Sequence, residues 1–133
     1  MCAGPTPVGA LSIGLSTTYT GNLVPLGAEQ WLSVSFTGNT STAYHPRIRF
    51  TSNPGAAFRF DIVTNCAGTL LACGVEGGNS MAIQDWETST TAVAPGYRTP
   101  IPPVGSGGTV LVHVYRRAGL PVTCDSYTIT FSN

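Results

Sequence analysis

Between its turns this chain alternates apolar and polar side chains, and that period of two restricts its fold more than any other feature. A strand half-buried in a sheet requires such a period, because successive side chains point to opposite faces. In "QWLSVSFT" (30–37), Leu32, Val34 and Phe36 share one face, and Trp31, Ser33 and Ser35 share the other. "RIRFT" (47–51) turns Ile48 and Phe50 inward against Arg47 and Arg49, and "FRFDIV" (58–63) turns Phe58, Phe60 and Ile62 inward against Arg59 and Asp61. "SYTITFSN" (126–133) sets Tyr127, Ile129 and Phe131 against Ser126, Thr128 and Thr130. "TVLVHVY" (109–115) is apolar on both faces, as a central strand is. Weaker strands are expected near 16–23, 69–73 and 80–86. No stretch keeps a helical period, and Gly, Pro, Ser and Thr punctuate every window. The expectation is an all-β, jelly-roll or immunoglobulin-like sandwich of about eight antiparallel strands.

The chain has 133 residues, a length suited to one domain with one core over 1–133. Charged residues make up 9%, against roughly one quarter in an average globular chain. Six acids balance six bases, every base is Arg, and polarity comes from Ser, Thr, Asn and Gly. A neutral chain without a basic run is a poor match for nucleic acid. No apolar run reaches the roughly 18 residues of a membrane span. The opening "MCAGPTPVGA" lacks the basic start and apolar stretch of a signal peptide, so Met1 begins either a cytosolic chain or a mature form.

The cysteines bear on that choice. Cys2, Cys66, Cys73 and Cys124 do not fall at the two-to-four-residue spacings of a structural zinc site, nor into a Cys-x-x-Cys redox pair. What remains is a disulfide framework, with buried free thiols as the alternative. The expected bridges are Cys66–Cys73, across an open loop, and Cys2–Cys124, tying the amino terminus to the last strand. The longer bridge would stabilise by about 4 kcal/mol in the chain-entropy model. Such bonds persist outside the cytosol, so the expectation is a secreted, extracellular protein.

The segment 47–63 reads as a hairpin turning about Pro54. That register sets Phe50 opposite Phe58, Ile48 opposite Phe60, Arg47 opposite Asp61 and Arg49 opposite Arg59. The last two would form a small anion-docking patch, unless a third strand or solvent relieves the like charges. The stretch 86–108 breaks the alternation. It is a long, proline-rich loop insertion carrying Trp86, Glu87, Tyr97 and Arg98, and loops of that length tend to be functional or disordered. Trp86, Tyr97, Arg98, Arg49 and Arg59 are therefore the candidate binding residues.

Three stretches carry a resemblance: "GAEQWLSVSF", "IRFTSNPGAAFRFDIVTNCAGTLLACG" and "GGTVLVHVYRRAGLPVTCDSYTITF". Over about residues 14 to 132 the chain resembles the bacterial pre-peptidase C-terminal (PPC) domain. The matching positions are Glu29 and Trp31, Gly68 to Ala72, and Tyr127 with Ile129. The resemblance implies a jelly-roll-like sandwich found on secreted proteins, which assists secretion or contacts substrate and is not itself catalytic. Some relatives bind calcium through clustered acids near the first strands. Here Glu29 stands alone and the 86–108 insertion departs from the pattern, so no metal or cofactor is expected.

Catalytic patterns are thin. His45 and His113 are the two imidazoles, one before a proline and one in a strand, and both read as structural. There is no Gly-x-Ser-x-Gly elbow. Asp85 and Glu87 share a face around Trp86 and are the nearest approach to a glycosidase acid pair. "VEGGN" and "GSGG" lack the Lys-Ser/Thr of a phosphate loop and read as turns. "NTS" (39–41) is a glycosylation sequon on Asn39. Two function classes follow. One is a non-catalytic module acting by protein–protein interaction or self-assembly, its arm at 1–13 adding to a neighbour's sheet edge. The other is a carbohydrate- or substrate-binding module stacking sugars on Trp31, Trp86 or Tyr97.

Overall fold

Alternation resolves into eight strands in two four-stranded sheets. The structure is a computed structural model and describes residues 4–37, 45–68, 81–87 and 108–133. The strands are β1 (Thr6–Leu11), β2 (Ser16–Asn22), β3 (Gln30–Phe36), β4 (Arg47–Ser52), β5 (Phe58–Val63), β6 (Asp85–Glu87), β7 (Gly108–Arg116) and β8 (Ser126–Ser132). The first sheet has the order β1-β3-β7-β5 and the second β2-β8-β4-β6. The chain is thus an all-β sandwich. Among the described residues no helix is long and apolar enough to cross a membrane.

The inward faces are those the alternation marks. Leu32, Val34, Phe36, Phe58, Phe60, Ile62, Val110, Val112 and Val114 come from the first sheet, and Ile48, Trp86, Tyr127, Ile129 and Phe131 from the second, all buried. Aromatic rings knit the sheets together. Phe58 meets Tyr127 at 5.0 Å between centroids, and Phe50 meets Phe60 at 5.3 Å and the edge of Tyr127 at 5.8 Å. Burial and offset ring contacts of this kind are the main stabilising terms of such a core. As its two-sided apolar pattern requires, β7 is internal, between β3 and β5.

Three expectations need correction. First, β4 and β5 are not a hairpin. They lie in different sheets, joined by a 3-10 turn at Pro54–Ala56 with Gly55 at φ 59° and Ala56 at φ 50°. Asn53 clamps this arch. Its Nδ2 donates to Phe58 O (3.0 Å) and Gln84 Oε1 (2.9 Å), and its Oδ1 accepts from Phe58 N (3.0 Å). A hairpin would put both apolar faces on one side, whereas the arch turns them toward each other. Phe50 and Phe60 thereby pack across the core.

Second, the amino-terminal arm is an edge strand of its own sheet. β1 pairs with β3, and the pairing is parallel, whereas every other ladder is antiparallel. Geometry permits this because β2 intervenes in the opposite sheet and supplies the crossover. Leu11 is buried and Val8 packs on the core, which ties the arm down.

Third, Cys124 is a free, exposed thiol, so the Cys2–Cys124 bridge is not formed. Cys124 lies in the connection between β7 and β8. Cys66 is disulfide-bonded. Its expected partner Cys73 lies outside the described residues, as do Cys2, Asn39 and the expected strand at 69–73.

Candidate functional site

Register across the first sheet builds a cluster of aromatic and ionisable side chains. Trp31 on β3 stands opposite His113 on β7, and His113 stands opposite Asp61 on β5. Each points outward because its strand neighbours Leu32, Val112, Val114, Phe60 and Ile62 point inward. The row is therefore a cross-strand line of indole, imidazole and carboxylate on one face. Trp31 stacks flat on His113, with centroids 4.2 Å apart and planes at 12°. Tyr115, two residues along β7, tilts against the other side of His113 at 5.1 Å.

Charge completes the cluster. Glu29, just before β3, brings Oε2 to 3.0 Å from His113 Nε2, an ion-pair distance. Asp61 Oδ2 lies 3.7 Å from His113 Nδ1. Asp61 Oδ1 accepts from Tyr115 Oη (2.9 Å) and from Ala82 N (2.7 Å). Burial works against charge on both partners. For His113 the two carboxylates more than offset it, holding the imidazole above its usual pKa. For Asp61 the contacts from His113, Ala82 and Tyr115 more than offset it, holding the carboxyl below the usual range. Burial first and the Asp61 carboxylate second push the Tyr115 phenol upward. The outcome is an imidazole beneath an indole whose protonated form the flanking carboxylates favour.

A cleft of about 370 Å³ opens beside this cluster. Glu29, Asp61, His113 and Tyr115 form one wall, and Arg116, Arg117, Leu26 and Leu120 supply the rest of the rim. It presents both signs of charge over an apolar floor, which suits a polar, neutral or zwitterionic ligand. Among the described residues no group of three or more His, Cys, Asp or Glu is placed to hold a metal ion.

Of the residues singled out from sequence, Trp31 belongs to this row, and the other described ones fall elsewhere. Trp86 is fully buried in β6 and offers no stacking platform. Its neighbours Asp85 and Glu87 do share the outer face, each held by a base. Arg47 grips Asp85 through two bonds, the Nε one at 3.0 Å, and His45 Nε2 lies 2.8 Å from Glu87 Oε2. Arg49 is exposed on the second sheet. Arg59 lies on the first, donating to Ala56 O (2.8 Å) and Phe58 O (2.7 Å), so the expected Arg49–Arg59 patch does not form. Tyr97 and Arg98 lie outside the described residues. Sequence reasoning missed the Trp31–His113–Asp61 row, although alternation placed Trp31 and Asp61 on the polar faces of their strands. The missing information was that β7 runs between β3 and β5.

No protein-family model, no curated protein and no solved structure matches this chain.

Proposed function

We propose that this chain is a non-catalytic, extracellular β-sandwich module that acts by protein–protein interaction, foremost self-association, as a surface, matrix or fibre component. The observation that carries the reading is the outer face of the second sheet. There Thr18, Thr20, Thr51, Thr128 and Thr130 spread a neutral hydroxyl surface over three strands. Thr20 bonds Thr128 and Thr51 bonds Thr130, each at 3.0 Å. Contact on the β2 side of this surface, away from Arg49, strips water from hydroxyls rather than charges, which keeps the desolvation cost of association low. Arg49 stands exposed within that face, in register with Thr130, while Arg47, Asp85, His45 and Glu87 beside it are engaged with one another.

Secretion from a bacterium, a PPC-like family placement and the Cys66–Cys73 pairing belong to the same proposal. The disulfide at Cys66 supports an oxidising compartment. The test is sedimentation velocity over rising concentration, where a defined oligomer or filament is expected.

A second reading has a specific observation behind it. Trp31 is partly exposed and stacks on His113, which lines the cleft together with Glu29 and Asp61, an arrangement suited to a glycan or to the substrate of a companion enzyme. Under this reading the chain stays monomeric, and its tryptophan fluorescence shifts on glycan addition in wild type but not in Trp31→Phe.

A further inference from the structure

A sheet edge is a row of unpaired backbone groups, and folded chains ordinarily guard it with proline, charge, bulges, brevity or a covering segment. Three of the four edges here are guarded. β1 carries Pro7, and its ladder slips between Pro7 and Gly9, where Gly9 sits at φ 144°. β6 is three residues long and flanks Trp86 with Asp85 and Glu87. β5 is bridged by Ile83, which exchanges two 3.0 Å backbone bonds with Phe60.

Among the described residues β2 has none of these devices. "STTYTGN" runs seven residues without charge or proline, in unbroken register with β8. Among the described residues no strand lies beyond it. Its ends add a second observation. Ile13 and Leu15, just before β2, and Val24 and Leu26, just after it, are exposed at 38%, 53%, 46% and 77%. Four of the six exposed large apolar side chains of the described residues thus bracket one unguarded edge.

We propose that the β2 edge is the self-association site, pairing antiparallel with β2 of a second copy about a two-fold axis at Tyr19 and joining two four-stranded sheets into one of eight. This rests on the self-association reading above and locates it. The occupant follows from the sequence of the edge. Antiparallel pairing about Tyr19 sets Thr18 opposite Thr20 and Ser16 opposite Asn22, so polar uncharged side chains meet on the outer face. Those contacts extend the hydroxyl ladder that already runs from Thr20 to Thr128. The same symmetry carries Ile13 and Leu15 of each copy toward Val24 and Leu26 of the other, covering both apolar ends twice over. A charged peptide would find no complementary charge on this strand. A parallel neighbour using the same edge would be related by an axis along the strand, which turns its hydroxyl face to the opposite side of the joined sheet.

Sedimentation velocity of the whole chain is the first measurement, with an expected rise to twice the monomer mass as concentration increases. In Thr18→Lys/Thr20→Lys, lysines face lysines across the axis. Both positions are exposed in the free chain, so the circular dichroism spectrum should be unchanged while the mass stays at that of the monomer. As a check independent of that variant, hydrogen exchange of the wild-type β2 amides should slow with concentration while β6 amides do not respond. An oligomer that survives the double lysine change, with β2 exchange independent of concentration, overturns the β2 edge and leaves self-association through another surface. A wild-type chain monomeric throughout overturns both.

Discussion

Trp86 shows how burial decides what a residue is for. An indole among prolines and threonines reads from sequence as a rim residue, yet at 0% exposure it is one of the largest side chains in the core. Trp86→Ala should cost about 3–5 kcal/mol, the usual range for emptying a buried aromatic site. Denaturant melts would read that loss, and a full-strength glycan response in the surviving folded fraction would locate any sugar site elsewhere. His113 carries the matching lesson for charge. Its pKa is raised in the folded state, so its contribution is fully present below the unfolded value of about 6.5 and is lost as pH rises through the folded value. Thermal melts from about pH 5.5 to 9 should show stability falling with pH in wild type. In His113→Asn that component should be absent, and an equal fall in both proteins would remove His113 as its source. Although β7 is apolar on both faces and left His113 undirected, the outward direction of Asp61 was readable from alternation. Their meeting was not, because it depends on residues some fifty positions apart.

Strands were legible where pairing was not, and the reason is the range of the forces involved. The pattern of Phe58, Phe60 and Ile62 against Arg59 and Asp61 is local and survives as β5, but its choice of β7 over β4 rests on long-range burial. The link between β4 and β5 shows the competition. Pro54, together with Ala56 at positive φ, favours a broad arch over a tight hairpin turn, and Asn53 then fixes the arch by bonding both backbone groups of Phe58. Asn53→Ala leaves those groups without their partner and should cost about 1–3 kcal/mol. Asn53→Asp keeps only the acceptor half and should fall between. Equilibrium unfolding of the two variants would order them, and an unaffected Asn53→Ala would mean that water replaces the clamp. The Arg47–Asp85 tie is different in kind. Both side chains are more than a third exposed, so solvent screening leaves it worth well under about 1 kcal/mol.

At the scale of the whole molecule, the ladders bind the beginning of the chain to its end. β8 lies between β2 and β4 and carries Tyr127, Ile129 and Phe131 into the core, and the last residue still ties the structure. Asn133 exchanges backbone bonds with the 14–15 turn, at 2.7 and 3.0 Å, and its Nδ2 donates to Leu11 O at 2.8 Å. Contacts of such sequence separation form late and favour slow folding, because loop-closure entropy must be met before they contribute. The two ends are therefore unequal in what they hold. Removing residues 126–133 takes out an internal strand and strips β2 and β4 of a shared partner, so the truncated chain should show no cooperative thermal transition. Removing residues 1–9 takes out most of an edge strand whose buried residue, Leu11, remains. That chain should still melt cooperatively, at a lower temperature. It would also expose the edge of β3, which is longer, straighter and more apolar than β1, so its aggregation should rise as its stability falls. Light scattering alongside the melt separates those effects. A β8-truncated chain that unfolds cooperatively would show that the first sheet with its own core residues is a sufficient folding unit, and that the second is built upon it.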